Sequence, residues 1–321
     1  MTKKDENIKK NQDYLESLLG NTSSTVSGVK QPTPKPIIDK TYDAPSIEYT
    51  SINIDILPAG RYYKRGTKIM IRGAKVSEIQ AYSMVSDNYV DITEKMNELL
   101  SRNIRFYHPD GTQGNYKNVK DSDRIFLIFM IRELTFQGGN TLTHSVSCEH
   151  CKNDFVIPFR STPGNETPST FNLHEPNELI EDFYNKQEQC YEIIHNGASW
   201  KLGPPTIGIQ EDFYEEIKRN VQSDKKPDVA FMKIIPFLLY DRSSITDEGL
   251  KAKQKEFQNM NDLELFQGLD EIINNMKVGI KGLKMKCPEC SMEVCTDLTF
   301  QGGASSLFKL PGILDKFRRR K

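Results

Sequence analysis

The spacing of apolar residues predicts short strands and amphipathic helices from about residue 48 onward. INIDILPAG (52–60) indicates a strand running into a turn, and TKIMIRG (67–73) indicates a second strand. Helical periodicity follows in VSEIQAYSM (76–84) and in DITEKMNELLSRN (91–103), where Asp91 and Glu94 have the spacing of a capping box. The pattern therefore predicts a small sheet with helices packed against it.

The strongest helical pattern lies in DSDRIFLIFMIRELTF (121–136). Its apolar residues from Ile125 to Ile131 cover nearly the whole circumference of a helix, and Asp121 or Ser122 can cap its start. We expect it to be the central helix of the first half.

Two hairpins and a helical middle follow. Apolar and polar residues alternate on both sides of a Cys-x-x-Cys pair in segments 141–159 and 278–300, which places each pair at the tip of a β-hairpin. Between them, YEIIHNGASWKLGPP (191–205) has the pattern of a third hairpin. Helical patterns lie near residues 207–221, 228–240 and 248–274.

Composition places some segments outside the core. The chain has 321 residues, 43 basic and 44 acidic, so its formal charge of −1 creates no general field for nucleic acid. Nowhere do about 20 apolar residues run together, so no membrane-spanning segment is expected. Residues 1–47 are rich in Lys, Asn, Ser, Thr and Pro and are expected to be a disordered or extended tail, in which Tyr14, Leu15, Leu18 and Leu19 form either a docking helix or a fraying stub.

These patterns give an α+β fold with small β-hairpins and a disordered N-terminal tail. The expected order is a tail (1–47), an N-terminal α+β half with the first knuckle (48–160), a mostly helical middle (161–276), a second knuckle hairpin (277–303) and a basic C-terminal tail (304–321).

The paired cysteines carry the clearest chemistry. Cys148 and Cys151 form one Cys-x-x-Cys knuckle, and Cys287 and Cys290 form the other. Each knuckle places two thiolates at a suitable distance for one zinc ion, and two knuckles complete a tetrahedral, zinc-ribbon-like site. Because 135 residues separate the knuckles, the shared site requires a large insertion between them.

Other interpretations of the cysteines stay open. Redox dithiols normally open a helix, whereas both flanks here have strand patterns, so zinc is favoured over redox chemistry. Iron also binds four thiolates. His144 and His150 are possible substitute ligands, and Cys190 and Cys295 are expected to be inert buried thiols.

No catalytic pattern is found along the sequence. H-E-x-x-H, G-x-S-x-G and a dinucleotide fingerprint are all missing, and GRYYKRGTK (60–68) has the wrong spacing and order for a phosphate loop. A metal held by four cysteines has no open coordination position, so it stabilises a fold. We therefore expect a protein that is not an enzyme.

The order of features resembles the baseplate hub assembly proteins of T-even-type contractile-tailed bacteriophages, also called baseplate hub subunits or tail assembly chaperones. The resemblance rests on ILPAGRYY (56–63), the DSDRIFLIFMIREL helix and the two Cys-x-x-Cys hairpins around a helical middle, and covers roughly residues 50–310. Of the family's residues, Cys148, Cys151, Cys287 and Cys290 match as metal ligands. The long N-terminal tail and the large middle segment depart from the family pattern.

The resemblance implies a structural or assembly role in the central hub of the baseplate, stabilised by structural zinc. It implies tail tube, tape measure and wedge proteins as partners, in the virion baseplate and in the host cytoplasm during assembly. Whether the protein leaves or stays in the particle is open.

The alternative is a zinc-ribbon nucleic-acid-binding or transcription-associated factor. It would use the knuckle loops and the basic residues Lys316, Arg318, Arg319, Arg320 and Lys321 on phosphates. The loops carry Glu149 and Glu289 beside lysines, which disfavours specific nucleic-acid binding, and a basic tip more often keeps a chain in solution.

Overall fold

Most of the predicted elements are present in a computed structural model of the chain, which describes residues 48–84, 89–136, 142–159, 169–222, 233–238, 255, 259, 262–298 and 307–308. The predicted N-terminal tail and its leucine stub, the basic C-terminal tip and most of the helical patterns at 228–240 and 248–261 lie outside these residues. Among the described residues, no helix has the length and apolarity needed to cross a membrane.

The first sheet is antiparallel, with strands in sequential order: β1 (Thr50–Ser51), β2 (Lys68–Ile71), β3 (Ile104–Tyr107) and β4 (Gln113–Gly114). On β2, Ile69 and Ile71 are buried and Lys68 is exposed, as alternation requires.

The prediction of a strand within residues 52–60 is wrong. Only Thr50–Ser51 pair as a strand, and residues 54–56 and 60–62 form two turns of 3₁₀ helix. The side chain of Asn53 accepts a hydrogen bond from the backbone N–H of Asp55 at 3.1 Å. Such a local bond competes with strand pairing and starts the first turn.

Three helices pack beside the first sheet: α1 (Val76–Ser83), α2 (Tyr89–Asn103) and α3 (Arg124–Thr135). Helix α2 begins at Tyr89, so Asp91 lies in its first turn and does not cap it as predicted. Helix α3 is the predicted central helix. Its residues Phe126, Leu127, Ile128, Phe129 and Ile131 are at most 2% exposed.

A buried carboxylate fastens the ILPAGRYY segment to the start of α3. Asp123 accepts hydrogen bonds from the Ala59 backbone N–H at 2.7 Å and from the Tyr63 hydroxyl at 2.6 Å. The Tyr63 oxygen in turn accepts from the backbone N–H of Lys120 at 2.8 Å. Asp121–Asp123 form a 3₁₀ turn, so α3 begins at Arg124 and neither predicted cap is used.

The middle of the chain contains the third predicted hairpin and further helices. Strands β9 (Cys190–His195) and β10 (Ala198–Leu202) pair with each other, and β8 (Tyr184–Asn185) pairs with β9. The helices are α4 (Ile207–Gln222), α5 (Ile235–Leu238) and α6 (Leu263–Met276).

Two small sheets carry the cysteine pairs. Strands β5 (Leu142–Ser147) and β6 (Asp154–Phe159) form one hairpin. Strands β11 (Ile280–Lys286) and β12 (Glu293–Thr296) form the other, and β7 (Ser169–Leu173) extends it. Phe171 of β7 packs against Phe126 and Phe129 of α3, with ring centroids 4.9 and 5.2 Å apart, and so joins the cysteine hairpins to the central helix.

Gly60 of the ILPAGRYY segment has no room for a side chain. A Cβ atom there would lie 2.4 Å from the backbone oxygen of Ile54. We expect Gly60→Ala to lower the free energy of unfolding by about 1–3 kcal/mol, the usual cost of overpacking. Gly268→Ala in α6 is the control: a Cβ atom there would lie 3.6 Å from the Cδ1 atom of Ile193, an ordinary contact, so the variant should keep or slightly raise stability. Urea denaturation of both variants measures the difference, and equal stability would contradict this account.

Arg72 and Glu78 form a buried ion pair that fixes the start of α1. Arg72 donates to both carboxylate oxygens of Glu78, at 2.8 and 3.3 Å, and the Lys75 backbone N–H donates to Glu78 at 2.8 Å. Burial raises the pKa of Glu78, but the hydrogen bonds from Arg72 and Lys75 outweigh it and hold this pKa below the ordinary 4.5.

A lowered folded-state pKa means that Glu78 contributes stability above pH 4.5, and that this contribution is lost as the pH falls through the lowered value. Glu78→Gln should therefore lower the free energy of unfolding by about 1–2 kcal/mol near pH 7, and this loss should become smaller in acid. Thermal melts from pH 3 to pH 8 test this, with exposed Glu48→Gln as the control. A cost that does not depend on pH would count against the assignment.

Candidate metal centre

The first knuckle closes the β5–β6 hairpin. The backbone N–H of Cys148 donates to Asn153 and that of Lys152 donates to Cys148, both at 2.9 Å. Lys152 has a φ of 61°, a left-handed conformation that is uncommon outside glycine. The turn therefore folds the chain back just after Cys151.

The second knuckle closes the β11–β12 hairpin with the same turn. The backbone N–H of Cys287 donates to Met292 and that of Ser291 donates to Cys287, again at 2.9 Å. Ser291 has a φ of 59° at the position that Lys152 occupies in the first knuckle. The sequence pattern predicted the hairpins but not the left-handed conformation of these two residues. The one feature in the sequence that could have indicated it is their shared position, directly after the second cysteine of each pair.

The four predicted cysteines lie in one cluster. All four Sγ atoms are within 4.8 Å of one another. Two pairs cross between the knuckles at 3.7 Å: Cys148 with Cys290, and Cys151 with Cys287. None of these four cysteines forms a disulfide.

The spacing fits a tetrahedral metal ion. With zinc–sulfur bonds of about 2.3 Å, neighbouring sulfurs of a regular tetrahedron lie about 3.8 Å apart. The two distances of 3.7 Å match this edge, and the remaining separations require only small side-chain shifts. The cluster could therefore hold a metal ion such as zinc.

The cluster has a buried side and an outer side. Cys148 and Cys287 are at most 1% exposed, whereas Cys151 and Cys290 lie nearer the surface. The inner pair belongs to the same hydrophobic core as buried apolar residues on all four hairpin strands: Val146, Phe155, Met285 and Val294. Each knuckle thus supplies one inner and one outer sulfur.

Backbone hydrogen bonds and neighbouring thiols give the cysteine thiols different pKa values. Backbone hydrogen bonds from Cys151 and His150 lower the pKa of the Cys148 thiol to about 6. A backbone hydrogen bond at Asn153 lowers the pKa of Cys151, but desolvation and the neighbouring thiols outweigh it and raise that pKa to about 12. Four thiols this close cannot all ionise without a cation, which is the situation that a divalent metal relieves.

The other sequence candidates do not join the cluster. His150 is exposed and stands outside the group of four, and the side chain of His144 lies outside the described residues. Cys190 is buried as predicted. The prediction for Cys295 is wrong: it is exposed, because Val294 takes the inward position on β12 and its neighbour must point outward.

The described part of the chain is thus an α+β protein with a four-cysteine cluster able to hold a metal ion. Within the described ranges, this is the one group of at least three Cys, His, Asp or Glu residues arranged for a metal. No protein-family model, curated protein or solved structure matches the chain.

Proposed function

We propose that the protein is a structural or assembly component of the baseplate central hub of a contractile phage tail, stabilised by one zinc ion bound to the four cysteines. The single observation that carries the proposal is that the features behind the family resemblance are parts of one interlocked framework. ILPAGRYY is bonded to the DSDRIFLIFMIREL helix through Asp123, and this helix packs on the sheet that carries the second knuckle. These features support a rigid platform for protein contacts.

The donor set supports a structural role for the metal. Four thiolates fill a tetrahedral coordination sphere, so no position is left for a water molecule or a substrate. Binding would connect two hairpins that lie far apart along the chain, and its free energy would add to that of folding. Together with the lack of a catalytic motif in the sequence, this supports a protein that is not an enzyme.

The experiment is purification of the tagged chain from cells in which a contractile tail is being assembled, followed by mass spectrometry of the bound proteins. The proposal expects tail tube, tape measure, wedge or other hub proteins. Their presence with the chain in finished particles would favour a retained subunit, and their presence only before particle completion would favour a chaperone. Recovery of none of these proteins would contradict the proposal.

The nucleic-acid alternative is tested in the same preparation. The knuckle loops present Glu149 and Glu289 together with Lys152 and Lys286, a mixed charge that is unsuited to reading phosphates. Salt-dependent retardation of random DNA by the purified protein, with no tail protein bound, would establish the alternative in place of the hub role.

A further inference from the structure

A basic cleft, separate from the cysteine cluster, is lined by the turn before β2 and by the turn between β8 and β9. Its volume is about 610 Å³, within the range of ligand sites in proteins. Of the residues that line it, Arg61, Lys64, Arg65 and Lys186 are basic and only Asp55 is acidic. Because the whole chain is nearly neutral, this excess of positive charge is a local feature of the cleft.

The turn before β2 has a fixed conformation. Residues 64–67 form a β-turn in which the backbone N–H of Thr67 donates to the backbone oxygen of Lys64 at 3.0 Å. Gly66 has a φ of 93°, as the third position of a type II turn requires. Arg65 occupies the second position of this turn and is exposed. The backbone that carries its guanidinium group is therefore held in place.

The turn between β8 and β9 is fixed by Asn185. Its side-chain oxygen accepts hydrogen bonds from the backbone N–H groups of Gln187 and Glu188, at 3.0 and 3.1 Å. Its backbone oxygen accepts a third bond from the N–H of Gln189 at 2.7 Å. Lys186 lies in this turn and is exposed. Two well-defined turns thus bring one cation each to the same cleft.

These two cations are available to a ligand. Within the described part of the chain, neither Arg65 nor Lys186 has a hydrogen-bond or ion-pair partner. Arg61, by contrast, donates to both carboxylate oxygens of Glu181 at 2.9 Å, and Lys186 acts on that carboxylate only at longer range. Like charges held together on fixed turns repel each other, and an anionic ligand would relieve this repulsion.

The shape and the aromatic rings of the cleft select the class of anion. A nucleic-acid duplex is too wide for a cleft of this volume, and single strands are bound largely by stacking of bases on aromatic rings. Such rings are not free here, because Tyr63 is 5% exposed and the Arg61 guanidinium lies 3.8 Å from the centre of the Tyr184 ring. Ile54, which is half-buried, offers an apolar surface instead. Carboxylates next to an apolar side chain, as in an acidic peptide, suit this combination.

We propose that this cleft binds an acidic peptide segment of a partner protein, with carboxylates on Arg65 and Lys186 and an apolar side chain against Ile54. The planar guanidinium group of arginine can bind both oxygens of one carboxylate, and the lysine ammonium supplies a second positive charge. The inference stands on the cleft alone and rests neither on the metal nor on the baseplate role.

The test uses the full chain and the peptide Gly-Asp-Leu-Glu-Asp-Gly, labelled with tetramethylrhodamine and followed by fluorescence anisotropy. The variant Arg65→Gln with Lys186→Gln should bind the peptide about three- to tenfold more weakly, since each exposed charge contributes modestly. The control, Lys218→Gln with Lys281→Gln, removes two exposed cations outside the cleft and should bind as the unchanged protein does. Equal melting temperatures of the two double variants would show that their folds are comparable.

A second variant separates charge from structure. Arg65→Lys with Lys186→Arg keeps both cations and should bind the peptide more tightly than the double glutamine variant does. Three results would overturn the proposal. The first is no binding of the peptide, and the second is equal weakening in the double glutamine variant and its control, which would indicate a general charge effect. The third is tighter binding of a short single strand of oligo(dT) with the same label, which would make the cleft a nucleic-acid site.

Discussion

Cys287→Ser will release the bound metal and lower the free energy of unfolding by about 4 kcal/mol or more, the range reached when a protein loses a structural metal. Cys287 is 1% exposed and its sulfur lies 3.7 Å from that of Cys151 in the other knuckle. Its loss removes one of four ligands and leaves three close thiols without the cation that would let them ionise together. Metal content by elemental mass spectrometry and unfolding in urea measure both effects.

Cys295→Ser is the matched control. Cys295 lies on β12 of the same hairpin but is exposed and outside the cluster. This variant should keep its metal and its stability. The same metal loss in both variants, or none in Cys287→Ser, would contradict a shared site.

Tyr63→Phe will lower the free energy of unfolding by about 2–4 kcal/mol, because it removes one hydrogen bond from the buried Asp123 carboxylate and another from the backbone N–H of Lys120. The Tyr63 hydroxyl is the donor to Asp123 and the acceptor for the Lys120 N–H. Tyr62→Phe is the control. The Tyr62 hydroxyl is also buried, but its hydrogen bond to the Tyr191 hydroxyl is long at 3.5 Å, so we expect its loss to lower the free energy of unfolding by less than about 1 kcal/mol.

The cost of Tyr63→Phe should also depend on pH. Burial raises the pKa of Asp123 to about 7 from its ordinary 3.8, so its ionisation opposes folding. Its contribution to stability is full below pH 3.8 and is lost as the pH rises through 7. The Tyr63 hydroxyl stabilises the charged form of Asp123 more than the neutral form. Its removal should therefore lower the free energy of unfolding more at pH 8 than at pH 5. Urea denaturation at the two pH values measures it, and a larger cost at pH 5 would count against this network.

Local patterns in the sequence were enough to predict much of the candidate site. A Cys-x-x-Cys pair between alternating flanks specifies a knuckle at a hairpin tip, because turn and alternation involve neighbouring residues only. The apolar pattern around helix α3 is also a local property, because it depends only on residues within that helix. Whether the two knuckles meet could not be derived in this way. Cys151 and Cys287 lie 136 positions apart, so their contact depends on how all the residues between them fold.

The failures also have physical causes. Ile52, Ile54 and Ile56 alternate as in a strand, but the Asn53 side chain bonds the backbone locally and starts a 3₁₀ turn. Cys295 was expected inside because free cysteine is usually buried, yet the alternation along β12 turns it outward. The role of Asp123 was missed, because its partners Ala59 and Tyr63 are 64 and 60 residues away.

The metal content per chain of the purified protein, measured by elemental mass spectrometry, tests most directly whether the four cysteines hold one zinc ion. We expect one zinc per chain in the unchanged protein and little or none in Cys287→Ser. A chain without metal and with four freely titratable thiols in the cluster would contradict the site, and one iron per chain in place of zinc would contradict the identity of the ion.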